Sequence, residues 1–184
     1  MEFETFDIVG PVRIKPKVFG DDRGYFFESF RQDKFRDAVG EDVSFIQDNQ
    51  SLSREVGTVR GLHYQAPPFA QAKLMRVLAG AIRDIIVDVR TNSPTYGRTL
   101  VVDLDAQDHH QFFVPRGFLH GFVTLQPDTI VAYKVDNVYS ADHDGGVRWD
   151  SPSLGLDWGV DGERAVLSAK DRSTPLFAEW TSPF

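Results

Sequence analysis

The 184-residue chain contains no cysteine, and this absence excludes several kinds of chemistry. Without thiols the chain can form no disulfide, no thiolate metal site and no cysteine nucleophile. Long hydrophobic runs are also lacking, since none approaches the roughly 20 residues of a membrane-spanning helix. The N-terminus, Met-Glu-Phe-Glu-Thr-Phe-Asp, has neither the basic nor the apolar region of a secretory signal. We therefore expect a cytoplasmic protein without a membrane partner.

Positive charge is in deficit. The chain has 20 Lys and Arg residues against 27 Asp and Glu residues, a net charge of -7. This balance disfavours nucleic acid as the main partner, although a few local cations can still bind an anion. The sequence also lacks a Gly-rich phosphate loop, a Gly-x-Ser-x-Gly elbow and a dinucleotide-binding fingerprint.

Stretches of helical period are scarce, whereas 15 Phe residues and recurring Gly or Pro turns are typical of β structure. One short helix is predicted over residues 33–40, with Asp33 as N-cap and Gly40 at its end. The predicted strands cover residues 12–19, 25–30, 45–52, 58–65, 73–78, 82–90, 99–104, 111–114, 120–125 and 129–135. This spacing predicts one all-β domain over residues 1–184, a jelly-roll barrel with short peripheral helices. The looser segment after Asn137 is expected to pack on the barrel.

Two histidines lie in or beside predicted strands. His63 follows Arg60 by three residues. Imidazole titrates near neutral pH and suits proton transfer, although a single strand histidine is more often structural. His120 lies between Phe118 and Phe122 in the strand alternation, and these aromatic neighbours are expected to desolvate it and lower its pKa.

Three further polar residues lie on strands of the predicted barrel. Lys73 and Tyr133 each share a strand face with apolar residues. Lys73 either extends its ammonium group to the strand end or belongs to a site. Tyr133 is either a core tyrosine whose hydroxyl reaches the rim or a member of the same site. Asp84 shares a face with Asp88 and Arg90. This face is either solvated, with an Asp–Arg pair, or turned into a barrel mouth where Asp84 orients a His or Lys. From the strand alone the solvated face is favoured.

A metal site is not expected. Metal-binding barrels of this kind typically carry His-x-His followed by a carboxylate, but the residue two after His63 is Gln65, and no Glu follows within reach. The remaining histidines are predicted to lie on the surface: His109, His110 and His143.

An ordered series of motifs carries a family resemblance. In chain order they are Phe19-Gly20-Asp21-Asp22-Arg23-Gly24-Tyr25-Phe26-Phe27-Glu28, Gln47-Asp48-Asn49-Gln50-Ser51, Arg60-Gly61-Leu62-His63-Tyr64-Gln65, Val114-Pro115-Arg116-Gly117-Phe118-Leu119-His120-Gly121-Phe122, Tyr133-Lys134 and Leu167-Ser168-Ala169-Lys170-Asp171. From about residue 12 to residue 175 the chain resembles the dTDP-4-dehydrorhamnose 3,5-epimerase family of nucleotide-sugar enzymes, whose fold is the cupin double-stranded β-helix.

The resemblance implies a cofactor-free conversion of dTDP-4-keto-6-deoxy-D-glucose to dTDP-4-keto-L-rhamnose in deoxysugar biosynthesis. The 4-ketone acidifies the protons on carbons 3 and 5, so a side-chain base can remove them. The resulting enolate needs a positive or hydrogen-bonding partner, and reprotonation must come from the opposite face. The implied roles are His63 as base, Asp171 as its orienting carboxylate, Tyr133 as opposite-face acid, Lys73 at the enolate, and His120 with Asp84 as a supporting pair.

The resemblance also assigns residues to the nucleotide. Cations would neutralise the diphosphate, other polar groups would bind the base and sugar, and aromatic rings would sandwich the thymine. The implied set is Arg23, Arg60 and Lys170 for the diphosphate, Glu28, Gln47 and Asn49 for the base and sugar, Phe19 and Tyr139 for the thymine, and Asp144. A homodimer is implied, in which the turn carrying Phe19 and Arg23 is an arm donated to the partner's site.

The spacing of two residues and three departures from the family pattern test the resemblance. A regular strand would point Arg60 and His63 to opposite faces, so a bulge or bend at Gly61 is predicted if both serve one site. Asp144 stands where the family pattern has glutamate. Two other residues depart from the pattern, through surface drift or a related substrate: Arg116 and Leu119.

Two alternatives stay open. Related enzymes epimerise only one carbon or shift the ketone, and a non-catalytic cupin could bind sugar nucleotides. The presence of both His63 and Tyr133 favours the double epimerase over the related enzymes. Their occurrence together with Lys73 and Asp171 argues against a non-catalytic cupin, because binding alone requires neither an acid nor a base.

Overall fold

Two antiparallel sheets and a separate hairpin form the protein, whose computed structural model describes residues 1–40 and 43–184. The strands are β1 (Glu2–Thr5), β2 (Val12–Lys15), β3 (Val18–Asp21), β4 (Gly24–Phe27), β5 (Gln47–Ser53), β6 (Val59–Gln65), β7 (Lys73–Ala79), β8 (Ala81–Asp88), β9 (Thr99–Asp105), β10 (Gln111–Val114), β11 (Phe118–Thr124), β12 (Thr129–Val135) and β13 (Asp144–Gly146). The helices are α1 (Gln32–Val39) and α2 (Ala169–Ser173). In the described ranges, no helix is long and apolar enough to cross a membrane.

The strand order places sequence-distant strands side by side. One sheet has the order β1-β2-β10-β7-β12-β5, and the other has the order β13-β6-β11-β8-β9. The hairpin β3–β4 forms a third, two-stranded sheet of its own. The two large sheets pack face to face, as predicted for a jelly roll.

The alternation of side chains along β8 shows how the core is built. Ile82 and Ile86 join the cluster between the two sheets, whereas Ile85 and Val87 join a second cluster on the outer face. Because both faces of β8 are buried, its sequence is a nearly continuous apolar run. The outer face of the other sheet is covered by a third cluster, in which Phe35 of α1 is buried.

The C-terminal segment covers the outer face of the five-stranded sheet, as predicted. Trp149, Trp158 and Trp180 pack in this outer cluster, and the Trp180 indole N–H donates to the Tyr64 hydroxyl at 3.1 Å. Leu119 lies beneath the same cover and is fully buried. Its departure from the family pattern is therefore not surface drift.

Three local predictions were wrong. The strand predicted over residues 12–19 is split into β2 and β3 around Pro16, which has no N–H to donate. The strand predicted over residues 25–30 ends at Phe27. Helix α1 has Arg31, not Asp33, as its N-cap; Asp33 lies inside the first turn, where its carboxylate accepts a hydrogen bond from Arg31 Nε at 2.7 Å. Gly40 ends the helix in the left-handed conformation, as predicted.

The carboxylates of β8 are not on a solvated face, because Asp84 and Asp88 are fully buried. Asp88 accepts hydrogen bonds from Arg90 Nη2 at 2.7 Å and from Ser93 and Thr95 at 2.6 Å each. Burial raises the pKa of Asp88, but these donors outweigh it and lower the pKa to about 2. The predicted Asp–Arg pair therefore exists, but its carboxylate is fully buried and is bound by the loop that follows β8.

The three histidines predicted to lie on the surface are each half-buried. His143 Nδ1 lies 2.8 Å from Ser140 Oγ, and His110 Nδ1 lies 3.9 Å from an Asp108 carboxylate oxygen. The His109 ring packs against the hairpin β3–β4.

Candidate active site

A cavity of about 570 Å³ opens between the two sheets. Its walls come from β6 and β11 of one sheet, from β7 and β12 of the other, and from the segment around α2. It is lined by most of the polar residues that the sequence predicts for the site: Arg60, His63, Lys73, His120, Tyr133, Tyr139, Asp144, Lys170 and Asp171.

A bulge in β6 brings Arg60 and His63 to the same cavity. His63 pairs with His120 of β11 and Arg60 pairs with Phe122, so two residues of β6 stand opposite one residue of β11. Gly61 has a φ of +140, and a Cβ added to it would lie 2.5 Å from the Gly121 Cα. Only glycine fits this conformation and this close approach. The predicted bulge at Gly61 is confirmed.

Arg60 crosses from the five-stranded sheet to the edge of the other sheet. Its Nε donates to Ser53 Oγ at 3.1 Å and its Nη2 donates to the Leu52 carbonyl at 3.2 Å. Both acceptors belong to β5. The guanidinium is therefore held at the cavity wall by contacts with both sheets.

His63 is paired with a carboxylate from the other end of the sequence. Its Nε2 makes a short hydrogen bond with Asp171 of α2. Ser168, the N-cap of α2, donates its hydroxyl to Asp171 Oδ2 at 2.7 Å and accepts the Asp171 backbone N–H at 3.1 Å. Burial raises the pKa of Asp171, but the hydrogen bonds from His63 and Ser168 outweigh it and lower the pKa. In the His63 tautomer that donates its Nε2 proton to Asp171, Nδ1 is the acceptor nitrogen of the ring.

A second histidine–carboxylate pair lies deeper. His120 Nε2 is 3.0 Å from each carboxylate oxygen of Asp84, and both side chains are buried. Burial lowers the pKa of His120, as predicted, although the Asp84 carboxylate opposes the shift. Asp84 does not line the cavity itself but is hydrogen-bonded to His120, which does. The barrel-interior placement of Asp84 is therefore correct.

Lys73 and Tyr133 face the cavity from the six-stranded sheet. Their strands are adjacent, with Val135 opposite Lys73 and Tyr133 opposite Met75. Burial lowers the pKa of Lys73 to about 8, against the attraction of Asp84 and Asp144. Burial raises the pKa of Tyr133, so its phenol is protonated at neutral pH.

Asp144 organises the mouth of the cavity. Its Oδ2 accepts hydrogen bonds from Tyr139 Oη at 3.1 Å and from Lys170 Nζ at 2.5 Å. Asp144 lies on β13, opposite Gln65 of β6. The aspartate that replaces the glutamate of the family pattern thus reaches the cavity.

Several predicted nucleotide residues lie outside the cavity of the single chain. Arg23 is at the tip of the hairpin, where its side chain is 89% exposed and pairs with Asp21. Phe19 is exposed on the same hairpin, and Glu28 pairs with Lys34 at 3.0 Å.

Two other predicted residues lie on β5, beside the cavity. Gln47 Nε2 donates to Asn49 Oδ1 at 2.8 Å. Both share the inward face of β5 with Ser51, which lines the cavity, and this shared face is the one predicted. Asn49 is directly opposite Tyr133.

Sequence reasoning missed some cavity residues. Gln71 lies two positions before Lys73, and its Nε2 donates to the Asn137 carbonyl at 2.8 Å. Ser51 and Met75 could have been found from strand alternation, because each shares a face with a predicted residue. Other lining residues without a predicted role are Thr58, Val59, Tyr64, Phe122, Val166, Leu167 and Ser168.

Gln65 has a structural role beside His63. Its Nε2 donates to the carbonyls of Phe69 at 2.6 Å and Val138 at 3.1 Å, and its Oε1 accepts the Ser140 N–H at 2.8 Å. It therefore ties together two loops at the cavity mouth. Within the described residues, no group of three or more His, Asp or Glu side chains converges as metal ligands.

Comparisons with known proteins agree over nearly the whole chain. A profile of the dTDP-4-dehydrorhamnose 3,5-epimerase family matches residues 5–179. A protein of that name from Sinorhizobium fredii is 49% identical over 179 residues, 97% of this chain and 91% of that protein.

Two solved structures show the same fold. The dTDP-4-dehydrorhamnose 3,5-epimerase of Bacillus anthracis strain Ames, with TDP and PPi bound, is 48% identical with a TM-score of 0.91, covering 96% of this chain and 99% of that one. The dTDP-6-deoxy-D-glucose-3,5-epimerase of Legionella pneumophila, in complex with dTDP-4-keto-L-rhamnose, is 38% identical with a TM-score of 0.90, covering 95% and 92%. By sequence and by its cupin-type fold, the chain belongs to the dTDP-4-dehydrorhamnose 3,5-epimerase family.

Proposed function

We propose that the chain catalyses the double epimerisation of dTDP-4-keto-6-deoxy-D-glucose, at carbons 3 and 5, through proton transfers by His63 and Tyr133. As a member of its family the chain is a carbohydrate epimerase; the residue roles are the proposal. The observation that carries it is the placement of an Asp171-paired imidazole and a protonated phenol on opposite sheets, across one cavity.

The proposed chemistry begins with removal of a proton next to the ketone. The C–H bond at carbon 3 or 5 breaks, the proton passes to His63 Nδ1, and the electron pair forms an enolate at the carbon 4 oxygen. The ammonium of Lys73 stabilises the enolate, and the cavity wall shields it from water. Tyr133 then donates its hydroxyl proton to the same carbon from the opposite face, and the configuration inverts. Exchange with solvent resets His63 and Tyr133.

The sheet topology supports the opposite-face requirement. His63 and His120 are adjacent on β6 and β11, whereas Tyr133 and Lys73 lie on β12 and β7 of the facing sheet. A sugar ring held between the sheets would present one face to His63 and the other to Tyr133.

The cavity mouth has the chemistry of a nucleoside diphosphate site. Arg60 and Lys170 are cations at the cavity wall, and Tyr139 is an exposed aromatic ring beside them. We assign the cations to the diphosphate and Tyr139 to the thymine. The Bacillus relative was solved with TDP bound, and the Legionella relative with a dTDP-4-keto-sugar.

A homodimer would complete this site. On the hairpin β3–β4, Phe19 and Phe26 are cross-strand neighbours and are 53% and 70% exposed. Two large exposed rings on a two-stranded ribbon are costly in water, and such ribbons are marginally stable alone. We assign this face to a second copy of the chain, whose cavity would receive Phe19 and Arg23. Glu28, Gln47 and Asn49 are assigned to the base and sugar.

The test is proton exchange in deuterated buffer with dTDP-4-keto-6-deoxy-D-glucose as substrate. Deuterium at carbons 3 and 5 with inverted configuration is expected. Deuterium at carbon 3 alone would replace the proposal with a single epimerisation, and absence of exchange would refute it for this substrate.

Two variants separate the proposed roles. His63→Ala is expected to lower the exchange rate by about 10²- to 10⁴-fold, with unchanged TDP affinity. Tyr133→Phe should still incorporate deuterium but yield little inverted product, because the proton returns from His63 to the original face. His110→Ala, outside the cavity, is the control. Full epimerisation by either site variant contradicts its role.

A further inference from the structure

The hairpin β3–β4 has two chemically different faces. Phe19 and Phe26 form one face, the one assigned above to a second copy. The opposite face carries Tyr25 and Phe27, whose rings stack on each other with centroids 5.9 Å apart. Because the hairpin hydrogen-bonds to neither large sheet, side-chain contacts of this second face must hold it against the rest of its own chain.

His109 makes the closest ring contacts with that face. Its ring centroid lies 4.5 Å from that of Tyr25 and 4.7 Å from that of Phe27. The histidine comes from the loop between β9 and β10, and its φ is 56. A non-glycine residue rarely adopts a positive φ, so the loop is shaped to deliver this ring. The Arg76 guanidinium, 5.5 Å from the Phe27 centroid, adds a second contact from the sheet.

His109 has no part in the proposed proton transfers, because it does not line the cavity. Its contacts instead set where the hairpin points. The tip that carries Arg23 lies beyond Tyr25, and Gln111 Nε2, two residues after His109, donates to the Ser29 carbonyl at 2.5 Å just past the hairpin base. The His109 ring thus packs against both aromatic side chains of the hairpin, and Gln111 at the start of β10 ties down the segment that follows the hairpin.

We propose that His109 is a positioning residue for nucleotide binding, which clasps the hairpin β3–β4 so that Arg23 is presented to the substrate site of a second copy of the chain. This rests on the proposed function, in which the hairpin is the donated arm. Two-stranded hairpins are marginally stable alone, and each aromatic contact adds a modest stabilisation. Without the clasp, a smaller fraction of arms is correctly placed, and the apparent substrate affinity falls by that fraction.

The clasp predicts a split between KM and kcat. His109→Ala is expected to raise KM for dTDP-4-keto-6-deoxy-D-glucose and Kd for TDP by about three- to tenfold, with kcat within about twofold of wild type. His109→Phe keeps a stacking ring and is expected to restore both constants. His110→Ala is the matched control, since its imidazole faces Asp108 and not the hairpin.

Arg23→Ala distinguishes the two proposals: the contact of His109 with the hairpin, called the clasp, and the donation of the hairpin to a second copy, called the arm. If Arg23→Ala raises KM and Kd but His109→Ala does not, the clasp is wrong and the arm stands. If Arg23→Ala leaves both constants unchanged, the proposed role of the arm is itself wrong.

Tyr25→Ala gives an independent test, because Tyr25 is 63% exposed and its loss should not unfold the protein. In a double-mutant cycle, Tyr25→Ala and His109→Ala should be less than additive in KM, because they remove the same contact. Additive effects, or failure of His109→Phe to restore KM, would overturn the clasp.

Discussion

At the scale of the residue, burial and hydrogen bonding give the groups of one cavity different protonation states. Burial lowers the pKa of Lys73 and His120 and raises that of Tyr133. Asp171 is also desolvated, but its hydrogen bonds from His63 and Ser168 keep the pKa low. The result is one carboxylate partner, one proton-donating phenol and one lysine close to its titration point.

The lysine gives the first pH prediction. The proposed role requires the cation, which is the form present below the pKa of about 8. The kcat/KM for epimerisation should therefore fall as the pH rises through 8, with a limiting slope of about tenfold per pH unit. Tyr133 does not account for this falling limb of the pH profile, because burial raises the pKa of Tyr133 above the ordinary value of 10.0.

The variant Lys73→Gln checks the assignment of the limb. It should be slower by about 10²-fold and should lose the fall near pH 8. Lys134→Gln is the control, since Lys134 is a partly exposed lysine paired with Asp48 at 2.9 Å. An unchanged limb in Lys73→Gln would show that another group titrates.

At the scale of the element, the strand β6 is built around its bulge. A regular strand would send Arg60 and His63 to opposite faces, and the extra residue at Gly61 corrects this. The sequence predicts a glycine bulge here, because Arg60 and His63 are three residues apart and a regular strand alternates its faces every residue. The strand break at Pro16 was equally readable, since proline cannot continue the ladder, but the predicted strand ran through it.

Gly61→Ala should be strongly destabilising. Its Cβ would meet the Gly121 Cα and, at 2.9 Å, the His120 carbonyl, in a backbone region unfavourable to alanine. We expect a loss of about 2–5 kcal/mol in the free energy of unfolding, measured by urea denaturation. Displacement of His63 should also lower kcat by on the order of 10²-fold.

Gly97→Ala is the matched control for backbone strain. Gly97 has a φ of +77, yet among the described atoms none lies within 4 Å of an added Cβ. This change should cost only about 1 kcal/mol and leave kcat unchanged. If Gly61→Ala were as mild as Gly97→Ala, close packing would not be the reason for the glycine.

At the scale of the whole molecule, the protein has a cavity formed by one chain and an arm that lies outside it. His63, Asp171, Tyr133 and Lys73 meet within one subunit. Arg23 is at the tip of the hairpin, away from that cavity. In the proposed dimer, a second copy of the chain would supply this arm to the cavity.

Mixing two impaired variants tests this arrangement. In a heterodimer of His63→Ala and Arg23→Ala subunits, the Arg23→Ala subunit keeps His63 and receives an intact arm from its partner. One site per heterodimer is then wild type, so a 1:1 mixture after subunit exchange should recover about a quarter of wild-type activity. The assay is run below KM, where Arg23→Ala alone is slow. Activity no higher than the mean of the two variants would show that the arm serves its own subunit.

The sequence by itself determined the all-β class, the family, nine of the residues that line the cavity and the bulge at Gly61. These depend on alternation, turn chemistry and the order of motifs, all of which can be read along the chain without knowing which segments touch. Only the tertiary structure decided that Asp84 and Asp88 are both fully buried and that Leu119 lies under the C-terminal segment. Alternation shows which side chains share a face of a strand but not what covers that face. The covering elements lie far away in sequence, so burial, and every pKa shift that burial causes, emerges only when the chain is folded.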